Sequence, residues 1–244
     1  MSRTVEYMAT ADAYDRWAEV YDTDSNFLQK LDDREMNQWL VPELSKLLRD
    51  KSDKQADTLK LLDLGCGTGR NTLKLVSAFP TAEIVGLELS SKMLEIANER
   101  CGSGKKIVFQ TYDLLKDSVP EEALNCDAVI STLVLEHVPI KDFLTRALEA
   151  CKPGSYLVVT NMHSDMGAIS QAGFVCPNTG VKIRPTSYSH TTSDFVTAAK
   201  ECGFRLVSEL KEQGVTEKDT HELGPRSGKW VGVTVWFGCI LQRT

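Results

Sequence analysis

The most constraining feature of the chain is a run of three closely spaced glycines, Asp63-Leu-Gly65-Cys-Gly67-Thr-Gly69-Arg-Asn71. It stands between an apolar run, LKLLDL at 59–64, and a helical pattern starting near Thr68. Glycines in that place let the backbone turn sharply and let a ligand approach the main chain, while the helix N-terminus offers free N–H groups. Such a loop cradles a nucleotide-like cofactor. The spacing is G-x-G-x-G, with Arg70 where a dinucleotide loop requires its third glycine, so a pyrophosphate cradle and a nicotinamide-dependent oxidoreductase are disfavoured. No G-x-x-x-x-G-K-[ST] loop is present either. Glu88 ends the next apolar run, AEIVGLEL at 82–89, where an acidic side chain accepts hydrogen bonds from a ribose diol and repels a 2′-phosphate.

The pattern around the loop predicts an α/β fold. Further apolar runs occur at 106–113, 127–134 and 155–162, and helices are expected to start near Thr68, Ser90, Pro120 and Pro139, the last stopping at Lys152-Pro153-Gly154. Short apolar strands alternating with helices imply a Rossmann-like, doubly wound, mostly parallel sheet covered on both faces. About seven strands are expected. The last two, 204–213 and 230–241, follow a helix at 192–202 opened by Thr191 and Asp194 in capping-box spacing, and they can add antiparallel pairing at the edge.

Before the sheet, Tyr14, Trp17, Val20 and Tyr21, then Leu28, Leu31, Met36, Leu40 and Leu44, recur at roughly helical spacing. Residues 1–56 therefore read as a helical extension or lid, joined through a polar linker at 50–57 to a Rossmann-like domain over 57–244. His163 to His190 has no period and is rich in Gly, Pro, Ser and Thr, which marks a long irregular insertion of the kind that carries function.

Net charge excludes some partners. The chain carries −6 over 244 residues with no block of Lys and Arg, which argues against nucleic acid as a substrate. No apolar run approaches the roughly 20 residues needed to span a bilayer, and the N-terminus lacks the apolar centre of a signal peptide. Seven cysteines without a C-x-x-C pair suggest reduced thiols rather than disulfides or zinc. A cytoplasmic location without membrane attachment is expected, no metal site is indicated, and the oligomeric state stays open.

Four segments in the right order resemble the class I S-adenosylmethionine-dependent methyltransferases: LLDLGCGTGRN at 61–71, GLELSSKML at 86–94, YDLL at 112–115 and ALEACKPGSYLVV at 147–159. By that resemblance Asp63, Gly65, Gly67 and the neighbouring backbone hold the methionine end of S-adenosyl-L-methionine, Glu88 the ribose hydroxyls, and Asp113 with Leu114 the adenine. Cys66, Gly69 and Asn71 in the same loop, Leu89 and Met93 after Glu88, and Thr132 and Leu133 at the start of the sulfonium-facing segment complete the expected cofactor set. AYDRWAEVYD at 13–22 looks like the entry helix of small-molecule methyltransferases akin to ubiquinone- and biotin-pathway enzymes. Tyr14, Trp17 and Tyr21 share one face of it, suited to an aromatic lid over a cation, or equally to core residues anchoring the extension.

Methyl transfer from a sulfonium mainly requires alignment and exclusion of water, and an oxygen, nitrogen or sulfur acceptor can also need a base. His137, His163 and His190 are the candidate bases or acceptor-orienting groups, with structural roles as the alternative. STLVLEHVP lacks the [DNS]-P-P-[YF] sequence, so nucleobase and amide nitrogens are disfavoured as acceptors. A small molecule is expected, apolar and carrying an acidic or polar group, chosen by the insertion, which mixes Met162, Met166, Ile169 and Phe174 with Lys182 and Arg184. A non-catalytic module that merely keeps the fold would be marked by loss of Asp63, Gly65, Gly67 or Glu88, and all four are present.

Overall fold

A computed structural model describes residues 4–50, 58–102 and 106–244. The expected linker falls almost wholly on 51–57, outside the described residues. The N-terminal segment is not helical throughout, because it opens with a strand, β1 (Val5–Tyr7), before α1 (Thr10–Trp17), α2 (Phe27–Glu35), a π-turn at Met36–Leu40 and α3 (Val41–Asp50). The alternating part follows: β2 (Lys60–Leu64), α4 (Arg70–Ala78), β3 (Glu83–Glu88), α5 (Ser91–Cys101), β4 (Ile107–Thr111), β5 (Cys126–Thr132), α6 (Ile140–Ala150) and β6 (Cys151–Met162). The insertion contains α7 (Ser164–Ile169), β7 (Phe174–Val175) and β8 (Lys182–Arg184), and the tail comprises α8 (Thr192–Glu201), β9 (Phe204–Leu206), β10 (Lys211–Gly214), α9 (Asp219–Leu223) and β11 (Thr234–Arg243).

The main sheet has eight strands. Its order is β10-β11-β6-β5-β2-β3-β4, with β9 also paired to β11. Strands β2 to β6 pair in parallel, and β11 pairs antiparallel with β6, so the sheet is mostly parallel with an antiparallel C-terminal strand. The strand order reverses between β2 and β5, and the carboxyl ends of strands at such a point form a crevice where open α/β folds bind ligands.

Several boundaries differ from the sequence expectation. The helix expected near Pro120 is only a 3-10 turn, Glu121–Ala123. Asp113 accepts from Leu115 N, and Asp117 accepts from Asp113 N, which holds this crossover in turns instead. The fourth helix ends at Ala150, and Lys152-Pro153-Gly154 lies in β6, which starts at Cys151 because that residue pairs with Cys126. The strand expected at 204–213 is split between β9 and β10, and the one expected from Trp230 begins at Thr234 because Pro225–Trp230 forms a 3-10 segment.

Helices α2 and α3 and the π-turn between them bury Leu31, Leu44 and Leu40 against Leu61, Ile84 and Trp236, so the extension shares the sheet's own core. The opposite face is filled from α6 and α8, with Phe143, Leu144 and Phe195 against Leu62, Val129 and Phe237. A third cluster fastens α1 to α5 and the insertion: Ala13, Trp17 and Ala18 pack with Met93, Phe174 and Ile183.

The insertion is more ordered than its composition suggests. β8 runs parallel to β1, pairing Val5 with Lys182 and Tyr7 with Arg184, and β7 completes a second, three-stranded sheet. Farther on, 186–190 is laced to the turn after β5. Tyr188 N donates to Glu136 O, and His190 Nε2 donates to Val138 O. All seven cysteines are free thiols, and no helix among the described residues is long and apolar enough to cross a membrane.

Candidate active site

Two adjoining cavities lie at the carboxyl ends of β2, β3 and β5. The first, about 280 Å³, is walled by Leu64, Gly65, Gly67, Glu88, Leu89, Tyr112, Asp113, Leu114, Thr132, Leu133 and His137, and roofed by Tyr14 and Tyr21. The second, about 110 Å³, continues from it, since Tyr14, Tyr21 and Leu133 line both. A roomier depression of about 810 Å³ lies elsewhere, between Val41–Ser45 and Leu73–Ala78. It is an open trough lined by no acid, and its Arg70 and Lys74 are held by Asp33.

The glycine loop is shaped by close contacts. Gly65 has φ +78°, and a Cβ there would meet Val134 Cγ2 at 2.2 Å. Gly67 has φ +54° with nothing within 4 Å of its missing Cβ, so its bare face opens on the first cavity. Glu88 is buried at the tip of β3 and braces the loop, Oε2 accepting from Gly67 N at 3.0 Å and Oε1 from Ser90 N at 2.8 Å. Burial raises its pKa. Each oxygen keeps a further lone pair for a ligand hydroxyl.

Other loop residues support the cavity from outside its wall. Asp63 is buried and accepts from the Thr72 hydroxyl at 2.6 Å, with burial pushing its pKa up to about 6. Asn71 donates to Thr132 Oγ1 at 2.7 Å. Gly69 caps α4 and packs against Ala97, while Cys66 is buried with its thiol held protonated by desolvation. Met93 lies beneath the aromatic lid in the third core cluster. Trp17 faces the second cavity rather than the first, stacks on Phe174 at 5.1 Å and donates to Asp24.

The three candidate histidines separate clearly. His137 alone lines the first cavity, and both its nitrogens are engaged: Nδ1 donates to Thr186 O at 2.8 Å, and Nε2 therefore accepts from the Tyr14 hydroxyl at 2.8 Å. Desolvation pushes its pKa down to about 4, so the ring is neutral and its lone pair is occupied. His163 lies outside both cavities, capping α7 through Nδ1 and reaching Glu212 through Nε2. His190 stacks on Tyr188 and is tied to Val138 O, again outside both.

Sequence reasoning passed over Glu136. It lines the second cavity, is buried, and its Oε2 has no hydrogen-bond partner among the described residues. Its Oε1 lies 3.6 Å from His137 Nε2, and desolvation pushes its pKa up to about 8. The available signal was an acid directly after the apolar run Leu133-Val134-Leu135 at the end of a strand. Leu133 beside it holds φ +56°, a left-handed conformation that aims its side chain between the cavities. No cluster of metal-ligating side chains occurs among the described residues.

The first cavity fits S-adenosylmethionine. A bare glycine face for the methionine end, a buried carboxylate with spare acceptors for the ribose, and an apolar slot of Leu89 and Leu114 beside Asp113 for the base occur in sequence along one crevice. Residues 61–154 match a methyltransferase domain family. An uncharacterised methyltransferase of Emericella nidulans is 44% identical over 260 residues, covering 96% of this chain and 91% of that protein. An S-adenosylmethionine-dependent methyltransferase from Mesorhizobium loti superposes with a TM-score of 0.59 at 20% identity, covering 81% and 96% of the two chains. A Haemonchus contortus phosphoethanolamine N-methyltransferase in complex with S-adenosyl-L-methionine gives 0.55 at 15% identity over 82% of this chain and 52% of that one. Cofactor cradle, sheet order and kinship agree, and the chain belongs to the class I S-adenosylmethionine-dependent methyltransferases.

Proposed function

We propose that this enzyme methylates a small molecule at oxygen, nitrogen or sulfur by in-line displacement, in the cytoplasm. The roof carries the reading. Helix α1 and the insertion cross the crevice and are joined through β1 and β8, so the space beside the cofactor cavity is only about 110 Å³. A folded protein or a nucleic acid strand presents far more surface than such a chamber accepts, whereas an enclosed cleft carrying a few polar groups suits a small ligand. The net charge of −6 argues the same way, and seven free thiols suit a reducing compartment.

Bound in the first cavity, S-adenosylmethionine supplies a methyl group on a sulfonium whose leaving group is already activated. The chain's own work is positioning and exclusion of water. Glu88 and the Gly65–Gly67 backbone anchor the cofactor. Tyr14 and Tyr21 close over it, their rings offering electron-rich faces to a cation. Burial keeps both hydroxyls protonated, Tyr21 being pushed up to about 12, so the lid itself stays uncharged.

The test is incubation with methyl-labelled cofactor and three host fractions: metabolites, protein and RNA. Label is expected in a species of low molecular mass. Label confined to protein or RNA would overturn the small-molecule reading.

A further inference from the structure

Two residues that line the second cavity each carry a buried polar atom, of opposite character, with no partner among the described residues. Glu136 Oε2 is one, and the indole Nε1 of Trp230 is the other. An unsatisfied buried donor or acceptor costs about 1–3 kcal/mol, so two in one chamber mark a place for a ligand that supplies both complements. The lining also mixes the rings of Tyr14, Trp17, Tyr21 and Phe27 with polar side chains such as Asn26 and Gln171.

Charge is distributed unevenly across this chamber. Among the described residues its only lining carboxyl, Glu136, sits at the inner end, 3.6 Å from a His137 ring that lines the cofactor cavity. Its cations, Lys182, Arg226 and Lys229, belong to the insertion and the tail. Arg226 and Lys229 are exposed, so they form the rim. Arg226 is partly neutralised by Asp24, whereas the Lys229 ammonium lies over the Trp230 ring, 4.9 Å from its centroid.

We propose that this chamber is the acceptor site, that it takes an aromatic acid with a hydroxyl at the end remote from its carboxylate, and that Glu136 accepts the hydroxyl proton while Trp230 and Lys229 hold the carboxylate. The assignment rests on the small-molecule reading above and names its substrate class. In the step, an oxygen lone pair forms the new O–C bond to the methyl carbon, the S–C bond breaks with its pair going to sulfur, and the hydroxyl proton passes to the Glu136 carboxylate. The sulfonium becomes a neutral thioether, and charge balances without a further reactant.

The other titratable groups facing Glu136 are Tyr14 and Tyr21 from the N-terminal segment and His137 from its own turn. All three are neutral near pH 7. Glu136 is therefore the one group in the inner chamber whose ionisation falls near working pH, which suits a general base.

Calorimetry on the enzyme saturated with S-adenosylhomocysteine tests this, using 4-hydroxybenzoate, 4-hydroxyphenylacetate, phenol and tyramine as probes. At least one of the two anionic probes should bind tenfold or more tightly than phenol, and tyramine should not bind. Lys229→Ala and Trp230→Phe should each weaken the anionic probe at least threefold and leave phenol unchanged. Repeating the titration at pH 7.5 in buffers of different ionisation heat should show proton release on binding to the wild type, absent in Glu136→Gln. Binding of S-adenosylhomocysteine with no heat from either acid, or equal affinity for tyramine, would overturn the acceptor class while leaving the cofactor assignment standing. Unchanged proton release in Glu136→Gln would remove Glu136 from the contact.

Discussion

The Tyr14 hydroxyl donates to His137 Nε2 across 2.8 Å, latching the roof helix to the turn behind β5. His137 is itself held by Thr186 O, so one neutral imidazole joins the lid, the turn and the segment following the insertion's strands. Tyr14→Phe removes only the latch. It should cost about 1 kcal/mol in global stability, the usual net worth of one hydrogen bond, and speed amide exchange at residues 10–17. Exchange mass spectrometry checks this, and unchanged protection there would show that the latch does not hold the helix.

Glu136 gives stability a distinctive pH dependence. Its folded pKa of about 8 lies above the ordinary glutamate value of 4.5, so the folded chain keeps a proton that the unfolded chain releases. Stability present below pH 4.5 is therefore lost progressively as pH rises to 8. Wild type should lose on the order of 3 kcal/mol across that window through this group, and Glu136→Gln should not. Urea melts at pH 5 and pH 8 measure the difference. A residue that makes its own fold less stable at neutral pH is retained for something other than folding.

His137 works in the opposite direction. Its folded pKa of about 4 lies below the ordinary histidine value of 6.5, so protons bind the unfolded chain more readily between those limits. Stability held above pH 6.5 should fall as pH drops toward 4, and His137→Gln should flatten that limb in the same melts.

Glu88→Ala deletes the acceptor for two backbone N–H groups and, on the proposed reading, for the ribose. Affinity for S-adenosylhomocysteine should drop at least 100-fold, because hydrogen bonds to a charged group contribute about 1.5–3 kcal/mol each. Circular dichroism should show the sheet intact while calorimetry shows the loss.

The two loop glycines should respond differently to alanine. Gly67→Ala points its methyl into open space, so the fold should lose only about 1–2 kcal/mol for the left-handed backbone while cofactor binding is blocked. Gly65→Ala drives a methyl into Val134 and should destabilise the fold further still. Thermal melts with and without S-adenosylhomocysteine separate the two.

The cofactor half of the site was legible because its residues are local. Gly65, Gly67 and Glu88 sit at strand ends, and the strand–loop–helix pattern places strand ends at one edge of a parallel sheet. Direction around a helix was harder to read: Trp17 shares spacing with Tyr14 and Tyr21, yet it packs on Phe174 and Met93 and reaches only the second cavity. Asp63 and Asn71 lie in the motif, but their partners Thr72 and Thr132 draw them outside the wall. His163 and His190 drew attention by residue type and by their places after the fifth strand and at the close of the insertion, and long-range bonds to Glu212 and Val138 keep both outside the cavities. Tyr14 and Tyr21 were legible as a lid, but nothing in the triplets at 5–7 and 182–184 names the other as partner, so the strand pairing that ties the roof together could not be read.

That pairing of residue 5 with residue 182 has a consequence for biosynthesis. Strands β2 and β3 and the glycine loop are complete long before the ribosome reaches β8, whereas the chamber acquires its ceiling only once the insertion has emerged and found the opposite end of the chain. A nascent enzyme therefore owns a cofactor cradle before it owns a place for an acceptor. The short ribbon that finishes it should be the first to peel away each time a reactant enters or a product leaves.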